Sequence, residues 1–244
     1  MAQSYFIWNG KDCRSMGIIM RGPAAIIRAE ERISHVTIPG RSGDLTETEG
    51  ENIYNPYIQT VSISVRGGFR VRDVYKWLRG DGYVTFSGEP DRRQKARVIG
   101  AITLNKISRN LDNWAGEVQF YCQPLKEIIH PEAAITVTSS GAAIRNNGDV
   151  ICRPMYKITA SGSSISLTAT GNGTPGDNTI AVTGLASGDI IWIDSDTMEV
   201  WNEDKTELLT VNSEGNFPVL APGKNTITGT GWSRIDIEKR ERYL

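Results

Sequence analysis

The chain has 244 residues and a formal net charge of -1, with 39% hydrophobic and 23% charged residues. This composition is that of an ordinary globular protein with one large or two small domains. Residues 1–130 hold 18 Lys and Arg against 14 Asp and Glu, and residues 131–244 hold 9 against 14, so neither half is charged enough to require nucleic acid or a membrane as its partner.

Strand-like segments open the chain. Residues 5–8 lead into a tight Asn-Gly turn, and residues 17–20 are predicted to continue this strand or to pair with it. Residues 24–32 fit either a strand or a short helix, and we favour a strand. Residues 58–65 alternate between apolar and polar side chains, which predicts a further strand.

The segment between these strands has little to bury. Pro39 and Gly40 interrupt the apolar run of residues 36–38, and few large apolar side chains follow over more than a dozen positions. Such a segment cannot stabilise itself by burial. We therefore expect residues 39–56 to be disordered or to be held by a partner.

One stretch carries a convincing helix signal. Val71, Val74, Tyr75 and Leu78 are spaced i, i+3, i+4 and i+7, which places them on one face of a short amphipathic helix. Gly80 can adopt the left-handed conformation that ends a helix.

Strands are predicted again after the helix. An Asp-Gly turn leads into residues 83–86, a second turn at residues 87–91 leads into residues 97–102, and residues 117–122 form a strand that Pro124 ends. A lone helix beside such strands must cover the apolar face of their sheet.

From residue 131 onward the composition shifts to Thr, Ser, Gly and Ala with short alternating runs. Such runs, punctuated by glycine-rich turns, are typical of an antiparallel β-sandwich; they lie at residues 134–137, 155–158, 164–168, 179–182, 189–193 and 226–228. Residues 233–238 either close the sandwich or pair with the first domain. The predicted fold class is mainly β, with a β-rich domain at 1–130 that contains one short α-helix and a sandwich at 131–244.

The start of the chain and its cysteines bear on the compartment. No apolar run approaches the roughly 20 residues that span a bilayer, and the first residues lack the pattern of a signal peptide. We expect a protein made in a cytoplasm, without a membrane partner. Cys13, Cys122 and Cys152 are odd in number and widely spaced, which supports neither a disulfide framework nor a zinc site.

Motifs for catalysis or cofactor binding are weak. Gly171, Gly173 and Gly176 spell a dinucleotide-binding motif, but a strand rather than a helix follows them, so we interpret them as a hairpin loop. The two histidines, His35 and His130, are too few for a hydrolytic triad or a histidine metal site. Residues 40–43 are one residue short of a nucleophile elbow. We predict no catalytic residue, no cofactor and no metal.

Two alternatives remain open in the second domain. Its acidic run lacks the spacing of a calcium-binding loop, and we interpret it as solvated strand edges and turns, although Asp194 and Asp196 would also suit a glycoside hydrolase. Trp192, Trp201 and Trp232 are more often core residues in a sandwich, but they would also suit a host-envelope carbohydrate-binding module.

An ordered set of motifs resembles a known family. Residues 36–45, VTIPGRSGDL, are joined by similar segments at residues 8–10, 15–18, 71–78, 83–98, 118–124, 215–220 and 222–225, and by Ile235 and the ending RERYL. Together they cover most of the chain and resemble the distal tail protein of long-tailed bacteriophages of Gram-positive hosts.

The resemblance implies an assembly. The first domain would be a belt domain that forms a ring, usually a hexamer, with a galectin-like sandwich at its periphery. The partners would be further copies of the chain, the tail tube protein, the tape measure protein and the tail-tip hub or tail-associated lysin. The protein would be assembled in the host cytoplasm and reside at the tail tip of the virion, where DNA passes only in transit.

The resemblance also implies an interface. The arm at residues 39–56 would become ordered on a neighbouring subunit, and strand addition supplies hydrogen bonds without a large apolar face. The basic residues Arg92, Arg93, Lys95 and Arg97 would form inter-subunit ion pairs rather than contact DNA, because a basic lumen that holds DNA opposes its passage. The expected interface residues are Ile38, Pro39, Gly40, Arg41, Leu45, Tyr54, Arg92, Arg93 and Lys95. The second domain has no histidine, so "galectin-like" describes a shape and not a sugar site.

Overall fold

The computed structural model describes residues 3–48, 50, 53–109 and 111–244. The chain divides into two compact units, Met1–Ile129 together with Leu244, and His130–Tyr243. Each unit has its own hydrophobic core. The mainly β fold class is confirmed, because strands dominate and the described residues contain one α-helix.

The first unit is built from antiparallel strands of 2 to 15 residues. They are β1 (Phe6–Trp8), β2 (Lys11–Asp12), β3 (Ile18–Met20), β4 (Ile33–Thr37), β5 (Asp44–Thr48), β6 (Tyr57–Val65), β7 (Asp81–Phe86), β8 (Arg92–Ile99), β9 (Leu104–Lys106) and β10 (Trp114–Ile128), with helix α1 (Val71–Trp77) between β6 and β7 and a 3-10 turn at Cys13–Met16. The main sheet has the order β2-β1-β7-β8-β10-β6-β3, and β9 pairs with β10.

One face of the main sheet forms the core of the first unit. Along β6 and β10 every second side chain is buried, as for Val61 and Phe120, which follows the period of 2 of a strand. The rings of Phe6, Trp8 and Phe86 surround Phe120 at centroid distances of 5.4 to 5.9 Å. The opposite face of the sheet carries exposed side chains.

Helix α1 lies in this core, but its buried stripe differs from the predicted one. Val74 and Leu78 are buried as expected, and Trp77 packs against the same cluster. Tyr75 is 39% exposed, so its placement on the buried face was wrong. At about 100° per residue, Trp77 and Leu78 lie on either side of Val74, whereas Tyr75 lies beyond the stripe.

Several predicted strand boundaries were wrong. β7 begins at Asp81, and the turn lies one residue earlier at Gly80, which has a φ of +74°. β8 is Arg92–Ile99 and not 97–102. β10 does not end at Pro124, because this proline falls in a register shift between Cys122 and Lys126, where the ladder does not need its missing N–H.

The first 32 residues contain two further errors. β3 pairs with β6 and not with β1. Residues 24–32 form no extended strand; two adjacent isoleucines do not fit a strand with one buried face, and Ile26 is 70% exposed.

The second unit is an antiparallel sandwich, as predicted. Its strands are β11 (Ile135–Val137), β12 (Ala142–Asn146), β13 (Met155–Ala160), β14 (Ser164–Gly171), β15 (Thr179–Thr183), β16 (Ile190–Asp194), β17 (Glu199–Asn202), β18 (Ser213–Gly215), β19 (Gly223–Thr230) and β20 (Trp232–Glu238), with a 3-10 turn at Thr210–Asn212. The short strand β21 (Arg242–Tyr243) belongs to neither sheet of the sandwich. The two sheets have the orders β11-β20-β13-β16-β17 and β12-β19-β14-β15-β18.

One core joins the two sheets of the second unit. Tyr156 and Ile193 from the first sheet meet Leu167 and Ile227 from the second, and all four side chains are fully buried. β20 pairs with β11 and β13, so residues 233–238 close the sandwich. Short strands at β12, β17 and β18 were not predicted.

Candidate inter-subunit interface

The predicted arm is one half of a β-hairpin. Among the residues that the structure describes, β4 and β5 pair only with each other, and their register places Val36 opposite Leu45 and Thr37 opposite Asp44. Every residue of β4, and each of residues 44–47 in β5, is exposed. A two-stranded hairpin without a covering layer is marginally stable at best in water. The hairpin thus has local order that the sequence did not predict, but it has no core of its own.

The hairpin has one apolar face. Strand alternation places Val36, Leu45, Ser34 and Glu47 on the same side, and Ile38 extends this alternation beyond β4. Val36 is 43% exposed, Leu45 38% and Ile38 37%. The other side carries mostly polar side chains. We call the side with Val36, Ile38 and Leu45 the apolar face of the hairpin.

The hairpin turn contains the PGRSG motif. Gly40 and Gly43 both have a φ of +82°, which an L side chain rarely adopts. The Arg41 N–H donates to the Ile38 carbonyl at 3.2 Å, and Thr37 Oγ1 donates to Asp44 Oδ1 at 2.9 Å. This geometry is a strand-to-strand turn, so the strand-to-helix turn of a nucleophile elbow is absent from it. Pro39, Gly40 and Arg41 are therefore presented at the exposed tip.

Tyr54 lies at the base of the hairpin. It forms an isolated bridge with Glu31, and the Arg32 N–H donates to the Ile53 carbonyl at 2.9 Å. The Asn55 N–H donates to the Glu30 carbonyl at 2.7 Å. These contacts extend the pairing beyond β4 and β5 down to the start of β6.

The basic cluster on β8 is less available for contacts with another subunit than the sequence suggested. Arg92 Nη1 lies 3.2 Å from Glu89 Oε1, and Arg93 Nη2 lies 3.1 Å from Glu127 Oε2. The Arg93 guanidinium also lies over the Tyr83 ring at 4.5 Å. Lys95 is exposed, and the residues that the structure describes include no carboxylate in salt-bridge contact with it. Arg92 and Arg93, two of the three interface cations predicted on β8, are thus already paired within their own unit.

Sequence reasoning missed the exposed face of the main sheet. Ile58, Tyr83 and Tyr121 lie on it and are 50%, 36% and 36% exposed. Tyr121 is the register partner of Ile58 on β6 and of Arg97 on β8. For Ile58 and Tyr121 the signal was present in the alternation of β6 and β10, since both residues lie out of phase with the buried ones. We call the surface around Ile58, Tyr83, Lys95, Arg97 and Tyr121 the open face.

The acidic residues proposed for hydrolysis have structural contacts. Asp194 is 8% exposed and accepts hydrogen bonds from Arg240 and from the Asp196 N–H. Burial raises the pKa of Asp194, but the Arg240 and backbone hydrogen bonds outweigh burial, and the net shift is downward. A general acid needs a raised pKa, so this carboxylate is unsuited to that role.

The tryptophans of the second unit occupy two environments. Trp232 packs against the core, as expected. Trp192 and Trp201 are register partners and half-buried on the outer side of their sheet, so their assignment to the core was wrong. Lys205 Nζ lies 4.0 Å from the centroid of the Trp192 ring, and the Trp192 indole N–H donates to the Glu203 carbonyl at 2.9 Å. These contacts hold the loop at residues 203–205 against the sheet and place the Lys205 ammonium group over the ring on which a sugar would stack.

The remaining motifs have structural explanations. Gly171 and Gly173 lie at the end of β14 and in the loop before β15, in agreement with a hairpin loop. Across residues 3–48, 50, 53–109 and 111–244, no three His, Cys, Asp or Glu side chains converge on a possible metal position. Within the same ranges, no helix has the length and apolar character needed to cross a membrane.

A family model and a solved structure both relate this chain to phage tail proteins. Residues 147–243 match the family model for the siphovirus-type tail component, C-terminal domain. The whole chain and the whole of the phage SPP1 Dit (gp 19.1) protein superpose with a TM-score of 0.78 at 18% identity. That crystal structure is described as a paradigm of the hub adsorption apparatus in phages that infect Gram-positive hosts. The likeness to SPP1 Dit shows a common fold over the full chain.

Weaker matches come from another phage. Two structures of the phage P2 baseplate in its activated conformation, one with Ca and one with Sr, match with TM-scores of 0.49 and 0.48 at 9% identity. The first covers 100% of both chains and the second 97%. No curated protein matches the chain.

Proposed function

We propose that this chain, whose residues 147–243 carry the C-terminal domain of a siphovirus-type tail component, acts as a structural, non-enzymatic subunit of the phage tail tip. The chain has the fold of a distal tail protein throughout. In this proposal copies of the chain form a closed ring, which the family resemblance suggests is a hexamer. The ring joins the tail tube to the tail-tip hub.

The observation that carries the proposal is the uncovered hairpin. Val36, Ile38 and Leu45 remain more than a third exposed on an element that has no core of its own. Contact with a neighbouring copy would bury these side chains and supply the covering layer that the two-stranded hairpin lacks. If each hairpin contacts a different surface on the next copy, the contact is heterologous, and such contacts generate rings when the rotation closes.

The remaining partners follow from the position of such a ring. As a phage tail component the protein belongs to the virion, and we propose that it is assembled in the host cytoplasm. Its two faces would contact the tail tube protein on one side and the tail-tip hub or tail-associated lysin on the other, with the tape measure protein within reach. DNA would pass through the channel only in transit.

The mass of the protein in solution tests the ring. We expect light scattering after size exclusion to give several times the chain mass of 26.9 kDa, and negative-stain images to show rings. A double change, Val36→Ser with Leu45→Ser, should reduce assembly at least tenfold. The control Val211→Ser removes an 89% exposed valine from the second unit and should assemble normally. A wild-type protein that stays monomeric at high concentration would overturn the proposal.

A further inference from the structure

We infer that the apolar face of the hairpin in one copy docks on the open face of the main sheet in the next copy. This inference rests on the proposed function and deepens it, because it names the surface that receives the hairpin. Both surfaces belong to the first unit, so a head-to-tail contact would use each of them once per copy.

The hairpin supplies an aliphatic patch with an acidic rim. Val36 and Leu45 are directly opposite each other, and Glu47 lies on the same side one step further along β5. The positively charged side chain of Arg41 is confined to the turn. Each strand of the hairpin has five residues and spans about 16 Å at roughly 3.3 Å per residue, about three times the spacing between neighbouring strands of a sheet.

The open face supplies an aromatic patch with a basic rim. Ile58, Tyr121 and Arg97 lie side by side on three neighbouring strands. Tyr83 is the register partner of Lys95. Tyrosine and arginine are enriched at protein–protein contacts because they combine large apolar area with hydrogen-bonding groups.

Charge complementarity selects this pairing. Lys95 is exposed, and the Arg97 side chain is 62% exposed with its nearest carboxylate, Asp81, at 3.8 Å, near the limit of an ion pair. An incoming Glu47 carboxylate therefore meets cations that are only weakly engaged. Packing of the hairpin side chains against the tyrosines would form a small sandwich with the usual spacing of about 10 Å between layers.

DNA is a less suitable occupant of the open face. Arg93 is neutralised by Glu127, and Asp81 and Glu117 lie on the same face as Lys95 and Arg97. A surface with this balance releases few counterions and would bind a polyanion weakly. A rim that carries both basic and acidic side chains is, in contrast, compatible with a protein partner.

A cysteine pair tests the contact directly. The chain carrying Leu45→Cys and Tyr121→Cys should form a ladder of disulfide-linked oligomers on a non-reducing gel after mild oxidation. Each single variant should give disulfide-linked dimers at most, because a chain with one surface cysteine cannot be linked to two neighbours. The matched control pairs Leu45→Cys with Lys76→Cys, which lies on helix α1 on the other side of the sheet. The three native thiols are buried and add no background.

A charge exchange tests the same contact without crosslinking. Glu47→Lys and Lys95→Glu should each reduce the assembled fraction at least tenfold, and the two changes in one chain should restore it. Lys76→Glu is the control with the same change of charge and should have no effect.

The outcomes separate the two proposals. Rings that form normally but give no disulfide ladder between positions 45 and 121, or that assemble equally well after the charge changes, would overturn this inference. The proposal that the protein forms a ring would then still stand. Monomers under all conditions would overturn both. Disulfide-linked dimers between the two position-45 cysteines as the dominant product would also overturn this inference. So would binding of duplex DNA that Lys95→Glu abolishes while assembly is unchanged.

Discussion

Arg240 forms a bidentate ion pair with the carboxylate of Asp194. Nη1 lies 2.8 Å from Oδ1 and Nη2 lies 3.1 Å from Oδ2. The same carboxylate accepts the Asp196 N–H at 2.9 Å, at the start of the turn between β16 and β17. This bidentate pair connects the end of β16 to the segment after β20. The contacts of Asp194 therefore indicate a structural role for this carboxylate.

Asp194→Asn should therefore destabilise the second unit. The hydrogen bonds to Arg240 lower the folded-state pKa of Asp194, so its contribution is present above the unfolded pKa of about 3.9 and is lost as the pH falls through the folded value. At pH 7 we expect a loss of about 1 to 3 kcal/mol in the free energy of unfolding. The difference from the wild type should shrink below about pH 4.

Hydrogen exchange of β13 and β16 measures this effect within the second unit. The control Asp196→Asn makes the same chemical change at the exposed neighbour and should have little effect. A difference between Asp194→Asn and wild type that is independent of pH would contradict the proposed role of the ion pair.

The three cysteines should behave as inert thiols. Burial raises the pKa of Cys122 and of Cys152 to about 12, and it also raises the pKa of Cys13. The reactive thiolate is therefore scarce at neutral pH. We expect an aromatic disulfide reagent to leave the native protein unlabelled over the time in which it labels all three thiols of the denatured chain. Rapid labelling of any of them in native protein would show that its surroundings open readily.

Phe120 should be the most costly single truncation in the first unit. Its ring contacts the rings of Phe6, Trp8 and Phe86, and it is fully buried at the centre of the main sheet. Phe120→Ala leaves a cavity that these aromatic rings cannot easily fill, and we expect a loss of about 3 to 5 kcal/mol. Gln119→Ala, on the exposed side of the same strand, should change stability by less than about 0.5 kcal/mol. Denaturant unfolding compares the two, and similar effects would contradict the assigned core.

Local periodicity accounts for what the sequence predicted well. β6 and most strands of the sandwich were found because side chains alternate within a single segment, which needs no knowledge of the partner strand. The buried pair Val74 and Leu78 followed from helical spacing in the same way. Failures occurred where no such pattern exists, as at residues 24–32, or where it is interrupted, as at Pro124.

The sequence pattern could not predict which strands pair when they lie far apart in the chain. The partnership of β3 with β6 depends on the order of the whole sheet, which the alternation of either strand does not specify. The same applies to the candidate interface. Ile38 and Leu45 were singled out from the motif around them, whereas the ion pairs of Arg92 and Arg93 and the open face around Tyr121 required the arrangement of β7, β8 and β10.

Two glycines in turns of the second unit should respond in opposite ways to alanine. Gly231, between β19 and β20, has a φ of +77°, and an added Cβ would collide with the Ser164 carbonyl oxygen. Gly162, between β13 and β14, has open space around its missing Cβ and no positive φ. Gly231→Ala should therefore cost about 1 to 3 kcal/mol through backbone strain, whereas Gly162→Ala should be neutral or stabilise by up to about 1 kcal/mol by restricting the unfolded chain. Thermal unfolding of the two variants compares them directly, and an equal loss at both positions would refute the assigned turn geometry.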